Sequence, residues 1–145
     1  MIQHIYPKTK NILTKGQDIS LLLARLVIAY GFFESAMNKW GDIEAIAISF
    51  ESLGIPLPTL NAYMAATTEL LGVTLLSLGL FTRIISIPLI IIMIVAIITV
   101  HLPHGFSVGN NGVEIPLYYI LFLVLFATFG AGKISFDHLV FGEDQ

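Results

Sequence analysis

Four stretches of this chain are so apolar that they are most stable out of water, and that property constrains the fold more than any single motif. Residues 19–38, 60–80, 84–101 and 115–131 are dominated by aliphatic and aromatic side chains. A helix of about 20 apolar residues crosses a ~30 Å hydrocarbon core at ~1.5 Å per residue. The whole sequence is 56% hydrophobic and 12% charged, well outside the roughly 45–50% apolar composition of ordinary soluble domains. The expected fold is therefore all-α, a four-transmembrane-helix bundle over residues 19–133. A 1–18 cytoplasmic N-terminal arm and a 134–145 cytoplasmic tail complete it.

The connections fit that scheme. Residues 41–59 are too polar to cross a membrane. Ile43, Ile46, Ala47, Phe50 and Leu53 recur at helical spacing with Asp42, Glu44 and Glu51 between them. That pattern predicts an amphipathic interfacial segment between the first two long helices. Ser20 or Asp18 is the expected cap of the first helix. Gly79, Thr82 and Arg83 mark a very short turn, and residues 105–113 a Gly- and Asn-rich loop. Pro116 suits the first turn of the last long helix.

Charge counting gives an orientation. Lys8, Lys10, Lys15, Arg83 and Lys133 fall on one side of the apolar runs and only Lys39 on the other. The excess of Lys and Arg on cytoplasmic loops then places both termini in the cytoplasm. The net charge of −3 provides no basic stripe, so nucleic acid is not an expected partner. The chain has no cysteine, which excludes disulfides, thiol redox chemistry and thiolate metal sites within it.

Ionisable groups inside apolar runs are costly and are functional-site hypotheses by default. Glu69 lies in the middle of the second run, on a stripe with Ala65, Gly72 and Gly79, small residues that let a neighbouring helix approach closely. Arg25 is the expected charge partner of Glu69, and His101 a second proton-handling group. These three are the candidate catalytic residues. Phe32, Glu34, Tyr63 and Tyr119 are candidates for holding a cofactor ring, and no metal site is assigned. The bland alternatives are a Glu69 that only locks helices together and aromatics that only pack.

The sequence resembles the DoxX family of small bacterial membrane proteins over Ser20 to Asp137. The resemblance is carried by Arg25, Gly31-Phe32-Phe33 and Lys39; by Glu69-Leu70-Leu71-Gly72, Gly79 and Thr82-Arg83; and by His101, Glu114 and Pro116-Leu117. Gly130-Ala131-Gly132-Lys133-Ile134-Ser135-Phe136-Asp137 completes it. Glu34 departs from the pattern, which has a small or apolar residue there. The resemblance implies a four-helix membrane protein and a loose association with respiratory or sulfur redox chemistry, since relatives include a subunit of a thiosulfate:quinone oxidoreductase.

Three functional readings stay open at this point. In the first the chain is an accessory or quinone-linked subunit of a membrane redox system, with quinone as the cofactor and a redox protein as partner. In the second it is a non-catalytic assembly or anchoring partner. In the third it handles a metal or small solute at the outer face through His101, His104 and nearby carboxylates. The lipid bilayer is a partner in all three, and self-association is left open.

Overall fold

The computed structural model describes residues 13–14 and 16–142. Lys8, Lys10 and Lys15 of the N-terminal arm, and residues 143–145 of the tail, lie outside the described residues. The helices are α1 (Gln17–Gly41), α2 (Ile43–Ser52), α3 (Pro58–Leu78), α4 (Thr82–Ala96), α5 (Glu114–Phe129) and α6 (Phe136–Phe141). α4 continues through a π-helical turn, Ile97–His101, and a 3-10 turn, Leu102–His104.

α1, α3, α4 and α5 form the bundle. Its core is built from Ile28, Ala29 and Phe32 of α1, Leu76 of α3, Ile85 and Leu89 of α4, and Leu123 and Phe126 of α5. The buried face of α3 is Ala62, Ala66, Glu69, Gly72 and Leu76, a spacing of three and four residues that follows one side of a helix. A Cβ on Gly72 would lie 2.8 Å from Leu89 Cδ1, so the glycine gives the Leu89 side chain of α4 the space it occupies against α3. The expected small-residue stripe is thus present but rotated. Ala66 and Ala62 face inward, while Ala65 is only half-buried.

α2 follows α1 after Asp42 alone, whose carboxylate caps it by accepting the Ala45 N–H at 3.0 Å. Its Ile43, Ile46, Ala47 and Phe50 face is the more covered one, as the helical spacing predicts. α1 itself is capped differently from expectation. It starts at Gln17 behind Gly16 with no side-chain cap. Asp18 is free to accept the Lys133 N–H at 2.9 Å, and Ser20 donates to the Gly16 carbonyl.

The expectation of four membrane-crossing helices requires correction. The protein is an all-α bundle in which only two helices, Gln17–Gly41 and Thr82–His104, are long and apolar enough to cross a membrane by length and composition. α5 has 16 residues, about 24 Å at 1.5 Å per residue and short of a ~30 Å core. α3 has 21 residues but carries Asn61, Thr67, Thr68, Glu69, Thr74 and Ser77. The outward faces of the two long helices are nonetheless apolar, with Leu23, Val27, Ile84, Ile87, Ile91 and Ile98 all exposed by the protein itself. Such a surface is suited to lipid.

The base of the bundle is closed by a segment that the sequence shows only as a tail. Residues 130–137 fold back under the helices, burying Ala131, Ser135 and Asp137. The Asp137 carboxylate accepts the Phe81 N–H at 2.7 Å and the Thr82 N–H at 3.0 Å, and the Asp137 N–H returns to the Gly79 carbonyl at 2.9 Å. This clamp holds the α3–α4 turn, in which Phe81 sits at a left-handed φ of 50°, a conformation that costs a non-glycine residue about 1–3 kcal/mol.

Candidate functional site

Glu69 and Arg25 do not meet. Glu69 is 1% exposed and pairs with Lys39, whose Nζ lies 3.0 and 2.9 Å from its two oxygens and 2.6 Å from Ser35 Oγ. Arg25, fully buried, donates instead to the carbonyls of Leu76 (3.2 Å) and Ile134 (2.6 Å). Asp137 offsets its charge. Its Nε has no hydrogen-bond partner among the described residues.

One rule explains both placements. Cα–Cβ bonds tilt toward a helix N-terminus, so a side chain covers the turn before its own Cα. Lys39 therefore reaches back beside Ser35, toward the middle of α3. Arg25 reaches back toward the start of α1, away from Glu69 and onto the α3–α4 turn. A Cβ on Gly79 would overlap the Arg25 guanidinium, so glycine at the end of α3 also makes room for it.

Next to the Lys39–Glu69 pair, and sharing Ser35 with it, is a cavity of about 320 Å³. α1 contributes Gly31, Phe32 and Ser35, α4 and its π turn contribute Met93, Ala96 and His101, and α5 contributes Ile115, Pro116 and Tyr119. The 105–113 loop closes it with Val108, Asn111 and Gly112. Phe32 and Tyr119 meet edge to face, ring centroids 5.2 Å apart at 80°. The Tyr119 hydroxyl presses on Gly31, where any Cβ would overlap it.

The loop is fixed by Glu114, whose carboxylate accepts the Val108 N–H at 2.9 Å and the Tyr118 hydroxyl at 3.2 Å. The π turn follows from the chain just beyond it. The Leu102 N–H bonds the Ile97 carbonyl five residues back, and Pro103 next to it offers no N–H. His101 is thereby turned toward the loop, and its Nδ1 lies 2.8 Å from the Asn111 carbonyl. A carbonyl only accepts, so Nδ1 carries the proton, and in the neutral form of the ring Nε2 is the acceptor.

Three polar groups at this cavity are uncommitted among the described residues: His101 Nε2, the Tyr119 hydroxyl and the Ser35 hydroxyl proton. A smaller cavity of about 190 Å³ lies at the base beside Asp18, Lys133, Ser135 and Asp137. Asp18, Ser135 and Asp137 there already bond backbone groups, so the upper cavity is the better candidate site.

The sequence-predicted residues divide accordingly. Phe32, His101 and Tyr119 share the upper cavity, and Glu69 is linked to it through Lys39 and Ser35. Arg25 belongs to the base. Tyr63 is 45% exposed and meets Trp40 edge to face outside the cavity. Glu34 is exposed on α1 and accepts from Tyr30 at 3.5 Å. Among the described residues no group of three or more His, Asp or Glu is placed to hold a metal ion. His104, exposed, directs Nδ1 to the Val100 carbonyl at 2.8 Å. Sequence reasoning missed Ser35 and Asp137. The helix start that carries Asp137 was discoverable, since Ser135 followed by Asp137 after a glycine-rich stop is the pattern of a capped helix start, and Ser135 does accept the His138 N–H.

The DoxX family model matches residues 20–102. The chain belongs to the DoxX family. An uncharacterised protein of Haemophilus influenzae is 35% identical to it over 129 residues, covering 86% of this chain and 85% of that one. A Bacillus subtilis protein with the provisional name oxidoreductase CatD is 33% identical, covering 89% of this chain and 92% of its own. An uncharacterised membrane protein of Mycobacterium tuberculosis is 30% identical, covering 81% and 79%. No solved structure matches with significant similarity. This DoxX-family chain is accordingly a small bacterial membrane protein, and its apolar outer surface is consistent with embedding in a bilayer.

Proposed function

We propose that this DoxX-family protein is a quinone-binding accessory subunit of a membrane redox system, with the ring held in the cavity between α1, α4 and α5. The observation that carries the reading is the juxtaposition of Phe32 and Tyr119 with three uncommitted polar groups. A volume of about 320 Å³ lies at the small end of the ~300–1,000 Å³ range of ligand pockets. It suits one substituted ring, with any isoprenoid tail left to the bilayer. A quinone presents two carbonyl acceptors, and Tyr119 and Ser35 supply hydroxyl donors. His101 Nε2 suits the hydroxyl of a reduced ring. The oxidoreductase name of the Bacillus subtilis relative agrees with this reading.

The start of α1, the α3–α4 turn and residues 130–137 share one end of the bundle. The Lys and Arg count assigns that end to the cytoplasmic side of the inner membrane and the cavity to the outer half. Because the chain has no cysteine, single Asn110→Cys and Phe81→Cys variants, beyond the two ends of the long apolar helix Thr82–His104, report the two sides directly. Asn110→Cys should react with a membrane-impermeant maleimide in intact cells and Phe81→Cys should not.

The site itself is tested by photolabelling with an azido-quinone in lipid nanodiscs. Label concentrated on peptides holding residues 31–35, 93–101 and 108–119, and competed by unlabelled quinone, is expected. Uncompeted label spread over the lipid-facing residues would remove the proposal.

A further inference from the structure

We propose that Ser35 is the residue that donates a hydrogen bond to a ring carbonyl in this cavity, and that Lys39 and Glu69 are positioning residues that act only through it. The inference rests on the quinone reading above and deepens it. An ammonium has three N–H donors, and those of Lys39 are matched by Ser35 Oγ and the two Glu69 oxygens at 2.6, 3.0 and 2.9 Å. Lys39 therefore has no donor left for a ligand, and the Glu69 carboxylate, acceptor only, is taken up by Lys39. Ser35 is the member of the chain that lines the cavity.

The Ser35 hydroxyl is also not spent on the backbone of its own helix, as several hydroxyls of the bundle are. Ser20, Thr74, Ser86, Thr99 and Thr128 each donate to the carbonyl four residues back. Ser35 makes no such bond. Its oxygen accepts from Lys39, and its proton is unused by the described residues. An ammonium 2.6 Å from that oxygen draws electron density from it, which strengthens the O–H as a donor and weakens the oxygen as an acceptor. A hydroxyl so biased favours a carbonyl over a hydroxyl, so the site binds the oxidised ring more tightly than the hydroquinone.

The test uses ubiquinone with a single isoprene unit, 13C-labelled at one ring carbonyl, and the full chain in nanodiscs. Affinity is measured together with the infrared frequency of the labelled carbonyl. Ala96→Phe, which fills the cavity, is the blocked control. Wild type is expected to bind, to shift the carbonyl stretch downward for one of the two label positions, and to prefer quinone to hydroquinone. Ser35→Ala should abolish that downshift and weaken quinone binding about tenfold, the loss of one charge-assisted hydrogen bond. Ser35→Thr should restore both.

The Lys39→Met/Glu69→Met double variant removes the polarising charge without stranding a carboxylate. It should bind with a smaller downshift and a reduced preference for the oxidised ring. An unchanged downshift and affinity in Ser35→Ala would overturn the Ser35 assignment while leaving the quinone reading intact. An unchanged downshift in the double variant would overturn the role given to Lys39 and Glu69. Wild type binding no better than Ala96→Phe would overturn the quinone reading and this inference together.

Discussion

Replacing Lys39 by methionine keeps the length and apolar stem of the side chain and removes the ammonium. Glu69, 1% exposed, then has an uncompensated carboxylate in the interior, and Ser35 Oγ loses its donor. Breaking a buried pair by deleting one partner costs about 3–5 kcal/mol. Lys39 keeps 17% of its side chain exposed, so some water can reach the stranded group and the lower end, about 3 kcal/mol, is expected. Replacing both members, Lys39→Met with Glu69→Met, removes the desolvated charges together and should bring stability back to within ~1 kcal/mol of wild type. The assay is reversible unfolding in mixed micelles or bicelles, followed by circular dichroism, on wild type, both single variants and the double. A Lys39→Met loss under 0.5 kcal/mol, or a double variant no more stable than the worse single, would refute the claim that these two charges depend on each other.

Other consequences are as direct. Arg25→Met removes two hydrogen bonds from a charged donor at ~1.5 kcal/mol each and should cost about 3 kcal/mol. It should also make the chain after Lys133 sensitive to protease; an intact, resistant C-terminal segment would contradict the clamp. Asp137→Asn keeps one acceptor oxygen for the Phe81 and Thr82 N–H groups where the carboxylate has two, and should lower stability by about 1–2 kcal/mol, measured in the same unfolding assay. Gly31→Ala puts a methyl group where the Tyr119 hydroxyl lies. It should displace that ring and weaken quinone binding at least tenfold while the base clamp stays protease-resistant.

The helices were legible because their apolar periodicity is local. The long elements, the short amphipathic α2 and the stop at Gly130 all follow from spacing within a few turns. Burial of Glu69 on a packed face was legible too, from its register with Gly72. The number of membrane-crossing helices was not. α3 looks like a span until its hydroxyls and Asn61 are weighed, and α5 until its length is set against the bilayer. The partner of Glu69 was missed for a geometric reason. Depth along an axis locates Cα atoms, whereas Lys39 and Arg25 each carry their charge about one turn toward the N-terminus. That offset exchanges the two cations' roles. The base clamp was missed because Asp137 acts on a turn more than fifty residues earlier, a separation that no local pattern encodes. His101, Phe32 and Tyr119 were found individually, but the cavity they share exists only once the Asn111 carbonyl and the π turn have set the imidazole against the loop.

The most direct measurement is the quinone content of the protein purified in mild detergent from its native membrane, quantified by mass spectrometry against protein and against bulk lipid. Wild type should carry quinone approaching one per chain, enriched over the surrounding lipid, and Ala96→Phe should carry only the bulk-lipid level. Equal content in the two, at the level expected from lipid carry-over, would contradict the assignment of this cavity as a quinone site.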